Sequence, residues 1–99
     1  MDYKIKSADA DFLFEAILKL ENVEECYRFF DDLCTVNEIK SISQRIVVAK
    51  MLKDKKVYSV IGESTGASTA TISRVNRSLE YGNGAYEMVF ERMGQDKAR

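Results

Sequence analysis

At 99 residues, with 45% hydrophobic and 31% charged side chains, the chain has the make-up of one folded globular domain, not of a disordered or fibrous protein. Its net charge of −1 conceals a division: residues 1–38 carry −6, residues 39–81 carry +5 and residues 82–99 are neutral. No apolar run exceeds Ile46-Val47-Val48-Ala49, histidine is absent, and no nucleophile elbow, P-loop or paired-glycine fingerprint occurs, which argues against a membrane span, a secretory leader and an enzyme and leaves a cytoplasmic, non-catalytic protein as the expectation.

Apolar residues recur at helical spacing nearly throughout and proline is missing, so the pattern predicts six helices and an all-α fold, read as a single domain over residues 1–99. Residues 1–7 read as a loose arm. Asp9 is the expected cap of the first helix, whose stripe is Leu13, Ala16, Ile17 and Leu20. Asn22 with Glu25 has the form of a capping box before the second stripe, Cys26, Phe29, Phe30 and Leu33. Cys26 and Cys34 are the only thiols, and both read as free cysteines in the core of a reducing compartment, with no metal spacing around them.

Thr35 with Glu38 repeats the cap and opens a third helix to about Lys53. In its second half Ile46, Val47, Val48, Ala49, Met51 and Leu52 cover most of the circumference, a pattern that one side of packing cannot satisfy and that points to subunits wrapping each other. Lys53-Asp54-Lys55-Lys56 ends this helix, and Val57, Val60 and Ile61 begin a short fourth. The fifth helix runs from about Ser68 to Tyr81, stopped by Gly82-Asn83-Gly84. Tyr86, Val89, Phe90 and Met93 form the last stripe, and residues 94–99 read as a frayed tail.

Residues 57–81 have the spacing of a helix-turn-helix. Gly62 is placed where two helices approach, Gly66 where a turn needs left-handed backbone, and Ile72, Val75 and Leu79 where the second helix locks onto the first. The opposite face of that helix carries Thr69, Ala70, Ser73, Arg74 and Arg77. Small and hydroxylated residues near a helix start fit a major groove, arginines bond guanine edges or phosphates, and methyls touch thymine. Thr69, Ala70, Ser73 and Arg77 are therefore the candidate base contacts, with Arg74, Lys53, Lys55 and Lys56 the candidate phosphate contacts inside the basic segment. The competing reading is an adaptor that keeps the fold but touches protein instead of DNA.

Three stretches carry a family likeness: residues 33–38 (LCTVNE), 44–47 (QRIV) and 66–79 (GASTATISRVNRSL). In them the chain resembles the tryptophan repressor (TrpR) family, and within it the YerC/YecD-type branch. The resemblance implies a six-helix fold, an intertwined homodimer, and a transcriptional repressor that sets two recognition helices into successive major grooves of an operator. It also implies a small-molecule corepressor site, with Thr35, Arg45, Arg74 and Ser78 at the matching positions. Val75 stands where the tryptophan-binding members have glycine, and its branched side chain would crowd an indole ring.

Overall fold

The computed structural model describes residues 3–97 and contains, among them, six helices and no strand. These are α1 (Ala8–Ile17), α2 (Val23–Leu33), α3 (Val36–Lys53), α4 (Tyr58–Thr65), α5 (Thr69–Tyr81) and α6 (Ala85–Lys97). The chain divides into two compact units between Val36 and Asn37.

In the N-terminal unit the first helix begins earlier than the sequence pattern indicates. Ser7, not Asp9, is its cap: the Ser7 Oγ accepts a hydrogen bond from the Ala10 N–H at 2.9 Å, and Asp9 and Asp11 lie in the first turn, where negative charge meets the unpaired N–H groups. Lys6 is ion-paired with Asp11, so the described part of the expected loose arm is tied to α1, while Met1 and Asp2 lie outside the described residues. Asn22 caps α2 as expected, its Oδ1 accepting from the Glu25 N–H at 2.9 Å, and the Glu25 carboxylate accepts from the Glu21 N–H at 2.9 Å. Neither α1 nor α2 contains a buried residue. Cys26, read from its stripe as a core thiol, is exposed, since an apolar stripe does not by itself supply a neighbour to cover it; Cys34 is half-buried, and both are free thiols.

The C-terminal unit holds the whole buried core of the described residues: Val48 and Ala49 of α3, Ile61 of α4, Ala67 of the turn, and Ile72 and Val75 of α5. Met51, Leu52, Leu79, Tyr86 and Phe90 pack around it half-exposed. The apolar circumference of α3 is thus satisfied on one side only, for Ile42 remains 54% exposed, Ile46 39% and Val47 48%.

The end of α3 is a device the sequence did not advertise. Lys56 N–H donates to the Met51 carbonyl and Lys55 N–H to the Leu52 carbonyl, each at 3.0 Å, with Lys55 at φ 66°. That is the paired-bond helix stop in which glycine normally takes the left-handed position, here occupied by lysine. At the other end of the unit, α6 continues through Gly94 to Lys97 instead of fraying at Gly94, since a single glycine within a helix costs only about 1 kcal/mol. Ala98 and Arg99, the remainder of the expected tail, lie outside the described residues.

Candidate nucleic-acid interface

Geometry begins with the turn between α4 and α5. Gly66 has φ 74°, and its N–H donates to the Gly62 carbonyl at 2.9 Å, closing α4 with left-handed backbone that residues with a Cβ seldom adopt. Thr65 braces the same corner, its hydroxyl donating to the Ile61 carbonyl at 2.7 Å and accepting from the Ala67 N–H at 3.1 Å. From α3, Gln44 Nε2 donates to the Thr65 carbonyl at 3.1 Å. Neither Gln44 nor Thr65 was singled out for this role by sequence; a threonine one residue before a turn glycine is the only local signal.

Gly62 is less constrained than its spacing implied. A Cβ built there would lie 3.6 Å from the Ala67 carbonyl oxygen, an ordinary van der Waals distance, so the close approach expected at Gly62 does not forbid a methyl group.

Ser68 caps α5, its Oγ accepting from the Thr71 N–H at 3.1 Å. Ile72 and Val75 face inward at 1% and 3% exposure, and Leu79 packs half-buried on the same core. Consequently the other side of the helix is open: Thr69, Ala70, Ser73, Arg74 and Arg77 are all exposed. Lys53, at the end of α3, and Lys55 and Lys56, on the stretch that joins α3 to α4, are exposed as well. Among the described residues no carboxylate oxygen lies within 4 Å of any of these five cationic groups.

Beneath α5 lies a recess of about 290 Å³, lined by Ser41, Gln44 and Arg45 of α3, Thr71, Arg74, Val75 and Ser78 of α5, and Tyr86 of α6. It brings together Arg45, Arg74 and Ser78, three of the four residues at the matching ligand positions. Thr35, the fourth, precedes α3 in the N-terminal unit and is not among the lining residues. Arg45 Nη2 donates to Ser41 Oγ at 3.2 Å, and buried Val75 forms part of the wall. Ser41, Thr71 and Tyr86 escaped sequence reasoning, because only the packing of α3, α5 and α6 puts them in one place. Among the described residues no cluster of carboxylate and thiol groups could hold a metal ion, and no helix is long and apolar enough to cross a membrane.

Comparison with known proteins agrees with this architecture. The chain is 58% identical over 90 residues to YerC of Bacillus subtilis (strain 168), a protein of uncharacterized function, covering 91% of this chain and 86% of that one. The crystal structure of a protein assigned as a Trp repressor from Staphylococcus aureus superposes with a TM-score of 0.88 at 63% identity, covering 92% of this chain and 91% of the other. A TrpR-like protein from Eubacterium eligens ATCC 27750 does so with the same score at 59% identity, covering 92% and 94%. The model of the Trp repressor protein family matches residues 8–94, and with a helix-turn-helix and six helices in place the chain belongs to that family of DNA-binding regulators.

Proposed function

We propose that this protein is a cytoplasmic, homodimeric transcriptional repressor that reads operator DNA with α5. The observation that carries the reading is the two-sidedness of that helix: Ile72 and Val75 are buried, while Thr69, Ala70, Ser73, Arg74 and Arg77 stand open to solvent, with no carboxylate oxygen within 4 Å of the arginines among the described residues. Thr69, Ala70, Ser73 and Arg77 enter the major groove, and Arg74, Lys53, Lys55 and Lys56 meet phosphates. Dimerisation is supported by the uncovered apolar side of α3 and by the absence of any buried residue in α1 and α2, surface that a single chain leaves wet. Two-fold symmetry then asks for a near-palindromic site with half-site centres about 34–36 Å apart.

Within this reading the recess beneath α5 receives a small-molecule corepressor through Arg45, Arg74 and Ser78, with Val75 weighing against tryptophan. The test of DNA binding is affinity for random duplex at two salt concentrations, followed by selection of bound sequences. Steep weakening at the higher salt is the expected outcome. Affinity that is absent, or indifferent to salt, would favour the protein-adaptor reading. Arg77→Ala should then cost about 1–3 kcal/mol at one base position and relax the preference there, whereas a uniform loss on every sequence would assign Arg77 to phosphate.

A further inference from the structure

Two lysines converge on one ring. Lys50 Nζ lies 5.9 Å and Lys53 Nζ 5.8 Å from the centroid of Phe90, whose own ring stacks against Tyr86 with centroids 6.1 Å apart and planes 23° from parallel. Phe90 is half-buried against the core of the C-terminal unit, so it is a fixed platform rather than a loose contact. The electron-rich face of an aromatic ring attracts an ammonium group at this range.

The two lysines differ in what else they touch. Lys50 Nζ is 2.9 Å from Asp54 Oδ1, an i,i+4 ion pair that neutralises it. Lys53 has no carboxylate oxygen within 4 Å among the described residues, and the ring is the partner that restrains its charge. A lysine stem has many rotamers, and ordering it when it meets an anion opposes binding; a ring takes no proton and supplies no counter-charge, so it can order the stem while leaving the charge available. Leucine would fill the same place in the core without doing this.

From this arrangement we infer that Phe90 is a positioning residue for Lys53, holding the ammonium of α3 in place for a phosphate through the face of an α6 ring. The inference rests on the DNA reading above. It is tested by measuring duplex affinity across a range of salt for the wild type, Phe90→Leu, Phe90→Tyr, Lys53→Ala and the Phe90→Leu/Lys53→Ala double variant, with melting temperatures alongside. Lys53→Ala should lower the slope of log affinity against log salt by about 0.9, the share of one phosphate. Phe90→Leu should weaken binding about two- to five-fold, Phe90→Tyr should bind as the wild type, and the double variant should bind no more weakly than Lys53→Ala. In the NMR spectrum of the DNA-free wild type, the Lys53 ε-protons should be shifted upfield by the ring, an observation that stands even where Phe90→Leu fails to fold. Full wild-type affinity in Phe90→Leu, additive losses in the double variant, or Lys53 ε-protons at their unperturbed position each overturn the inference while leaving the DNA reading intact. Absence of salt-dependent affinity in the wild type overturns the DNA reading, and this inference falls with it.

Discussion

Residues 3–47 and residues 48–75 are built from similar material and end in opposite states. Both stretches are helical and both carry apolar stripes, yet all six buried side chains of the described residues belong to the second. The first leaves Ile42 and Ile46 of α3 open, along with Phe12 and Phe14 of α1 and Val23, Tyr27 and Leu33 of α2. The contrast teaches that the helix-turn-helix and the second half of α3 carry a core of their own, while the rest leaves apolar side chains exposed.

Substitutions can break this contrast at either end. Ile72→Ala, in the self-sufficient region, should have the largest effect, a loss of about 2–5 kcal/mol in unfolding free energy that is the same at low and high protein concentration. Ile42→Ala is the sharper test of the other region. If a second copy covers this face of α3, the substitution should cost about 2 kcal/mol and weaken association in sedimentation experiments; if the face stays in water, the change should remain within about 0.5 kcal/mol. The smallest effect concerns the turn. Gly62→Ala should raise stability by about 0.5–1 kcal/mol, because the added methyl meets only the Ala67 carbonyl oxygen at an ordinary distance and the unfolded chain loses freedom. A drop in melting temperature would show that α4 and α5 press more tightly than the 3.6 Å separation implies.

Local chemistry was the legible part of the sequence. Asn22 caps its helix with the hydrogen bond its position announced, Ser68 marks the start of the fifth helix, and Gly66 takes the left-handed conformation that a sharp turn between helical stripes requires. Two cap-competent residues, Ser7 and Asp9, lie two positions apart, and periodicity alone could not choose between them. The αL stop at Lys55 had no glycine to mark it. Cys26 lies on an apolar stripe and is nonetheless exposed, because periodicity names the face of a helix and not what packs on it. Of the recess, Arg45, Arg74 and Ser78 were visible through the family likeness, whereas Thr71 and Tyr86 join them only when α5 and α6 are packed on α3.

The bond from Gln44 to the carbonyl of Thr65 makes the corner before α5 a passenger of α3. A single amide group thus ties the middle of one helix to the carbonyl just before the left-handed glycine that sets the direction of the next. The same helix therefore serves two sides at once, bracing the recognition corner with Gln44 while Ile42 and Ile46 stand exposed.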